Sequence, residues 1–318
     1  MARANVAVLA LALPLAALVA CGDRTGLIVG ATEQPTDASV DAPLDREPPP
    51  RDVALDPIDD ELPSIDAAMP DVARPNDCPD GAATLVYVVT EQNELYSFDP
   101  PSLAFTLIGG LACPSNGATP WSMAVDRTGI AYSVFNDGNL FRIDTATAAC
   151  AATPFVPGQL GFTTFGMGFV AAGDASTETL YVTESTFNTY SKGLATLDLQ
   201  SWSLSMVGAY QPPIPRAELT GTADGRLFAY YPELQGSGSH IAEIDRATAQ
   251  VTAQDNLQTG GSQDAFAFAF WGGDFWVFTS TGGPSTVTRY RPSDNSETDL
   301  ATMPSTIVGA GVSTCAPQ

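Results

Sequence analysis

The sequence predicts an all-β fold, a β-propeller of five blades in which the C-terminal strand closes the ring. Three observations favour it: a short strand pattern that recurs along the chain, turn residues after each copy, and small residues in the middle of other strands. The clearest copy is LFRID at 140–144, and the other four stand at 95–99, 194–198, 241–245 and 287–291. Their last residues are 45, 54, 47 and 46 residues apart, and a period of about 40 to 50 residues built from short strands is typical of propellers.

Each copy has the local pattern of a strand. In the second copy, Leu140, Arg142 and Asp144 alternate with Phe141 and Ile143, which is the period of two expected for a strand packed on one face. Four of the five copies end in aspartate, whose side chain accepts hydrogen bonds from the backbone two residues further on. We therefore predict that these aspartates shape turns rather than bind a ligand.

Further strands on either side of each copy complete the blades. Blade two is the clearest, because Asp137 and Gly138 lie between two alternating apolar runs and form a strong hairpin signal. The other strands predicted for blade two are 121–125, 130–135 and 148–153, and those for blade three are 165–170, 180–184 and 204–208. Those for blade four are 218–222, 226–231 and 251–254, and those for blade five are 266–270, 275–280 and 298–302.

Blade one lacks an inner strand in this assignment. Only three strands lie between residues 85 and 109, whereas residues 306–313 form a strand with no blade of their own. Donation of this last strand to blade one would close the ring and leave no sheet edge free at the junction.

The predicted inner strands share a small residue at their middle. A narrow axis requires this, because large side chains from all blades would collide there, and glycine in a strand indicates close backbone approach. The residues are Ala124, Gly168, Gly221, Ala269 and Gly309. Two alternatives stay open: a six-bladed ring with extra strands in residues 109–120 or 156–163, and a β-sandwich, which does not explain the recurrence.

The composition limits the class of partner. The 318 residues include 36 acidic and 13 basic side chains, a net charge of −23, and a single histidine. A chain this acidic repels nucleic acid and anionic membrane surfaces. We therefore predict no nucleic-acid partner.

The N-terminus has the pattern of an export signal. Arg3 precedes an apolar stretch at 6–19 that is too short to span a bilayer, and small residues lead into Cys21. The sequence LVAC at 18–21 resembles the bacterial lipobox. This resemblance implies a signal peptide at 1–20, cleavage before Cys21, and attachment of lipid, including palmitate, to that cysteine. Gly22 after the cysteine implies an outer-membrane location, facing either the periplasm or the cell surface; an ordinary signal peptide is the alternative.

Residues 21–80 form a predicted tether between the anchor and the propeller domain at 81–318. From residue 22 to 80 the chain has 15 acidic residues, four arginines, ten prolines and no aromatic residue. Such a composition buries too little apolar surface to offset chain entropy, so we predict a disordered linker. With an extended rise of roughly 3 Å per residue, its full reach would be on the order of 150 Å or more.

Four cysteines remain beyond the anchor, and export places them in an oxidising compartment. Four cysteines allow three pairings. The closed ring would bring together Cys78, before the first strand, and Cys315, after the last, so we predict a disulfide between them. Cys113 and Cys150 lie at or just after the outer strands of the first two blades, so we predict the second disulfide between these two. No CxxC pair is present and His240 is the only histidine, so we predict no zinc site and no cofactor.

Candidate catalytic residues are few. The sequence has no GxSxG, HExxH or Walker motif. The remaining option is a pair of carboxylates at the mouth of the axis, where Glu218 and Asp264 precede the inner strands of blades four and five. Trp121 and Phe162 stand near the equivalent points of blades two and three, and carboxylates beside aromatic rings suit a sugar. Solvated loop ends with no ligand are the alternative, and no cluster of oxygen ligands indicates calcium.

The chain resembles the large group of bacterial lipoproteins with propeller repeats, through the lipobox at 18–21 and the repeats over residues 84–313. It departs from other repeat patterns in having no Trp-Asp pair at the blade ends. The resemblance implies binding or scaffolding at the cell envelope. Because propellers host both enzymes and binding modules, the fold by itself does not decide between these functions. We predict a monomeric, non-catalytic lipoprotein that binds a protein or glycan. The alternatives are a glycan hydrolase or lyase that uses Glu218 and Asp264, and a passive surface protein without a ligand.

Overall fold

A computed structural model describes residues 62–65, 84–173, 177–259 and 263–318. These residues all belong to one of two units of the chain, residues 59–318. They form twenty strands, numbered β1 to β20 along the chain, in five four-stranded sheets. Within this part of the chain, no helix is long and apolar enough to cross a membrane.

Each sheet is one antiparallel blade whose strands run from the axis outward. From inside to outside, blade one consists of β20 Ile307–Val312, β1 Val86–Thr90, β2 Glu94–Asp99 and β3 Ala104–Gly110, and blade two of β4 Pro120–Val125, β5 Ile130–Phe135, β6 Leu140–Asp144 and β7 Cys150–Ala152. Blade three consists of β8 Phe165–Ala171, β9 Glu178–Glu184, β10 Leu194–Asp198 and β11 Ser203–Gly208, and blade four of β12 Glu218–Gly221, β13 Leu227–Pro232, β14 Ser239–Ile244 and β15 Val251–Leu257. Blade five consists of β16 Ala265–Trp271, β17 Asp274–Ser280, β18 Ser285–Arg291 and β19 Ser296–Met303.

The C-terminal strand closes the ring. Strand β20 pairs antiparallel with β1, so that Val86 lies opposite Val312 and Val89 opposite Gly309. The inner strands also contact one another in a closed cycle, β20–β4–β8–β12–β16–β20. The predicted five-bladed propeller is therefore confirmed. The six-bladed alternative is wrong, because the described chain between β3 and β4 and between β7 and β8 contains no further strand.

Glycines in the inner strands allow neighbouring backbones to approach closely. A Cβ atom on Gly168 would lie 2.9–3.0 Å from backbone atoms of Leu219 and Thr220 in the next blade. A Cβ atom on Gly309 would meet Ser122 and Met123 at 2.8–3.0 Å. These distances confirm that the residues near the axis are small because neighbouring backbones approach closely there.

The hydrophobic core lies between adjacent blades. Aromatic rings of neighbouring sheets meet there, as where the Phe98 and Phe278 rings contact edge to face at 5.5 Å. Turns after the repeated strands have the predicted chemistry: Asp144 Oδ1 accepts hydrogen bonds from the backbone N–H groups of Ala146 at 2.9 Å and Thr147 at 3.0 Å. Asp198 and Asp245 accept the same pair of bonds.

One predicted disulfide is present and the other lies partly outside the described residues. The Cys113–Cys150 bond, with a Cα–Cα distance of 4.9 Å, joins the loop after β3 to β7. Cys315 is buried and disulfide-bonded. Its predicted partner Cys78 is outside the described residues, as are Cys21 and the whole signal segment.

Four residues of the predicted disordered tether lie against the propeller. The segment 62–65 contacts blade four, and Ile65 is only 4 % exposed. The prediction of disorder throughout residues 21–80 therefore does not hold for these four, because an aliphatic side chain and two backbone hydrogen bonds join them to the domain.

Candidate functional site

A small cavity lies on the axis where four inner strands begin. Trp121 is the second residue of β4, Glu218 is the first residue of β12, and Asp264 directly precedes β16. All three line this cavity, whose volume is about 50 Å³. The remaining lining residues are Ser185, Arg216, Ala265, Phe266 and Val308. The structure therefore brings together three of the four residues predicted to bind a ligand.

Phe162 does not belong to this site. Its side chain is 0 % exposed and lies in a hydrophobic cluster with Phe155 and Phe165. The prediction that it contacts a ligand is corrected, because its ring fills the core beside blade three instead of facing the axis.

Glu218 is enclosed by protein. It is 4 % exposed, and the Ser122 hydroxyl donates a hydrogen bond to its Oε2 at 2.5 Å. Burial raises the pKa of Glu218 well above its usual value, against the opposing effects of the Ser122 hydroxyl, the Arg216 charge and the Met167 N–H group. The neutral carboxyl group is thus favoured at this position.

Arg216 is the central cation of the site. Its guanidinium group lies between two aromatic rings, 4.0 Å from the Phe187 centroid and 4.6 Å from that of Phe266. Its Nη2 donates to the Gln263 carbonyl oxygen at 3.1 Å. Burial lowers the pKa of Arg216 to about 10, while the carboxyl groups of Glu218 and Asp264 oppose this shift. The group therefore keeps its charge at neutral pH, and its faces are stabilised by cation–π contacts.

Phe187 extends this stack towards the surface. It belongs to the loop between β9 and β10 and is 48 % exposed. Its ring meets that of Trp121 edge to face at 5.1 Å, and the Trp121 Nε1–H donates to Ser185 Oγ at 3.3 Å. The series Trp121, Phe187, Arg216 and Phe266 is therefore continuous, and we call it the aromatic–arginine stack.

A cleft opens beside the axial cavity and shares two residues with it. Its volume is about 320 Å³, and its walls include Phe187, Arg216, Glu233, Gln263 and Asp264. This volume lies at the lower end of the range for ligand pockets, about 300–1,000 Å³. Asp264, in contrast to Glu218, is exposed.

A second groove continues along the same face. It holds about 560 Å³ and is lined by Tyr190, Tyr231, Glu233 and the prolines at 212, 213 and 215. His240 also lines it, with Nδ1 2.8 Å from Asn256 Oδ1 and Nε2 3.5 Å from Glu233 Oε1. The histidine is thus placed among amide and carboxylate groups, an arrangement unlike a nucleophile triad.

The axial cavity is too small for glycoside chemistry. A volume of about 50 Å³ is far below the range of about 300–1,000 Å³ for ligand pockets, whereas a glycosidase places its two carboxyl groups on either side of the glycosidic bond of a bound sugar. Arg216 also interacts electrostatically with both carboxyl groups. Glu218 and Asp264 share this small cavity, and Asp264 also lines the larger cleft beside it.

Sequence reasoning missed Arg216 and Phe187. Arg216 is one of only 13 basic residues and stands two positions before Glu218, so strand periodicity could have placed both on one face. No comparable signal marks Phe187, which lies in an irregular loop. In the described part of the chain, no group of three or more His, Cys, Asp or Glu side chains could hold a metal ion.

Comparisons with known proteins identify no family. No family model matches the chain, and no curated protein matches it. A solved nidogen/laminin complex is similar with a TM-score of 0.46 and 8 % identity, covering 71 % of this chain and 97 % of that one. Hydrazine synthase of Kuenenia stuttgartiensis has a TM-score of 0.38 and 12 % identity, covering 73 % and 69 %. The Dos1 propeller has a TM-score of 0.38 and 14 % identity, covering 74 % and 71 %. These similarities identify neither a family nor a ligand.

Proposed function

We propose that this chain is a lipid-anchored propeller of the cell envelope, and that the face carrying the aromatic–arginine stack binds a partner protein without catalysis. The observation that carries this proposal is the exposed Phe187 ring stacked on Arg216 at the wall of an open cleft. Aromatic residues and arginine are enriched at the centres of protein interfaces and dominate their binding energy.

Exposed apolar residues extend this face around the cleft. Tyr190, in the same loop as Phe187, is 60 % exposed, and Val156 and Leu160 are exposed in the loop between β7 and β8. The two loops contact each other where the Lys192 ammonium donates to the Gly161 carbonyl oxygen. Apolar residues grouped in this way on a soluble domain are typical of a protein-binding surface.

The charge of the cleft selects the class of partner. The carboxyl groups of Asp264 and Glu233 line it and outnumber Arg216, the single cation among its described lining residues, and the whole chain has a net charge of −23. Because complementary charge accelerates association and excludes wrong partners, we infer a partner that presents lysine or arginine beside an aromatic or aliphatic residue.

A random peptide library displayed on phage tests this proposal. We expect the full chain to enrich peptides that combine basic and aromatic residues, with affinity that falls as salt increases. Phe187→Ala should weaken the enriched peptides about tenfold to thirtyfold, as loss of a central aromatic residue does. Leu107→Ala is the matched control, because Leu107 is similarly exposed, at 53 %, but lies on β3 of blade one.

Two outcomes would contradict the proposal. If no peptide is enriched while an immobilised glycan array binds the chain in a Phe187-dependent way, the ligand is a glycan. If the chain cleaves a polysaccharide panel and Asp264→Asn abolishes the cleavage while Leu107→Ala does not, the site is catalytic.

The anchor is tested separately. Cys21→Ser should release the protein from the membrane fraction into the soluble fraction, because a chain without its acyl groups has no other membrane attachment in this proposal. Unchanged membrane association of that variant would contradict lipidation at Cys21.

A further inference from the structure

The outer edge of blade four is covered by a segment from the N-terminal region. Strand β15 is the outermost strand of that blade. The Val251 N–H group at its start donates to the Gln211 carbonyl oxygen at 2.9 Å, and no strand of the described residues pairs with the rest of this edge. The Gln254 N–H group instead donates to the Pro63 carbonyl oxygen at 2.8 Å. The segment 62–65 therefore continues the hydrogen bonding of the sheet for one step, as a peptide does when it adds to a sheet edge.

Ile65 supplies the apolar contact of this segment. Its side chain is 4 % exposed and belongs to a hydrophobic cluster with Ile241, Ala253 and Leu257 of blade four and Tyr290 of blade five. A residue in the middle of an acidic, proline-rich stretch thus has the burial of a core residue. Burial of this extent is the main source of affinity available to so short a segment.

Asp255 provides a polar contact matched to the backbone of the segment. Its Oδ1 accepts a hydrogen bond from the Ile65 N–H group at 3.2 Å, and its Oδ2 accepts one from the Tyr290 hydroxyl at 2.7 Å. Asp255 itself is buried. The carboxylate is held by blade five while it binds the segment, so the receiving site is built by two blades.

We propose that residues 62–65 are an intramolecular clasp, and that the junction of blades four and five is a binding site for this segment of the chain's own linker. Three contacts define the recognised pattern: a carbonyl at Pro63, an N–H group at Ile65, and an aliphatic side chain at Ile65. The clasp holds residues 62–65 of the linker at the rim of blade four.

The clasp shortens the free linker. Between Cys21 and Leu62 there are 40 residues, which reach about 120 Å at roughly 3 Å per residue. The 59 residues from 22 to 80 would otherwise all be available. This consequence rests on the proposed anchor at Cys21, but the clasp itself does not.

Amide hydrogen exchange of the full chain carrying Cys21→Ser tests the clasp. We expect the Gln254 amide to be protected, and Ile65→Asp to reduce its protection about tenfold to a hundredfold, because the variant loses the burial of the isoleucine side chain. Leu107→Asp, on the outer strand of blade one, is the control and should leave Gln254 unchanged. The Ile65 variant should keep the thermal transition of the propeller, which separates loss of the clasp from unfolding.

Two results would overturn the inference. A Gln254 amide that exchanges equally fast with and without Ile65→Asp would show that the segment does not dock. Protection that rises with protein concentration together with dimer formation would assign the site to a second copy of the chain. Because the soluble variant has no acyl groups and the peptide-binding face is not involved, neither result bears on the proposed anchor or partner.

Discussion

Substitution of Gly168 by alanine tests how closely the inner strands pack. The added Cβ would lie 2.9 Å from the carbonyl carbon and oxygen of Leu219 and 3.0 Å from the Cα of Thr220. All three are backbone atoms of β12, so relief requires a shift of one blade against another instead of a side-chain rotation. Overpacking of this kind costs typically about 1–3 kcal/mol. We expect the upper end, about 3 kcal/mol, because the ring is closed and the displacement passes to the next blade.

The assay is urea unfolding of the full chain under oxidising conditions, with Gly110→Ala as the matched control. Gly110 is also a strand glycine, but its added Cβ would have only the Asn93 carbonyl oxygen within reach, at 4.0 Å. Since alanine reduces the entropy of the unfolded chain, the control should be neutral or stabilise by about 0.4–1 kcal/mol. Equal free energies of unfolding for the two variants would refute the close approach of β8 and β12.

Three further predictions concern charge and covalent structure. Burial raises the pKa of Glu178 to about 7; its contribution to stability is therefore fully present below pH 4.5 and lost as the pH rises through 7. The free energy of unfolding should fall by about 3 kcal/mol over that interval, and Glu178→Gln should remove this slope in urea titrations at pH 5 and pH 8. Replacing Cys113 and Cys150 by serine removes a disulfide whose cysteines have a sequence separation of 37 and should lower the free energy of unfolding by about 4 kcal/mol. The loss should appear as a lower urea midpoint, and an unchanged midpoint would show that the bond does not constrain the unfolded chain. Because burial raises the pKa of Glu218, the folded chain loses stability as the pH rises, so Glu218→Gln should compare more favourably with the unchanged chain at pH 8 than at pH 5 in thermal unfolding; a difference that is the same at both pH values would contradict this.

The two carboxylates illustrate how far sequence reasoning extends to the site. The sequence pattern places Glu218 and Asp264 at the start of the inner strands of blades four and five, and the structure brings them to the same axial cavity. Their environments differ, since Glu218 is enclosed and Asp264 is exposed at the wall of the cleft. Burial depends on loops that come from other blades, so no local pattern around either residue could have predicted it.

The repeats determined the number of blades, the donation of β20 and the positions of the turns. These features follow from local periodicity, which each copy expresses independently, and from the steric demand for small residues at the axis. The order of the blades that follows from the repeats also predicts the Cys113–Cys150 disulfide.

Only the tertiary structure decided which side chains meet at the face and at the rim. Phe187 contacts Arg216 because the irregular loop after β9 reaches the segment that precedes β12, and Ile65 is buried because the junction of blades four and five accepts it. Both contacts join residues far apart in sequence through segments without a regular period. The stability of such contacts depends on shape and burial in three dimensions, and a one-dimensional pattern carries neither.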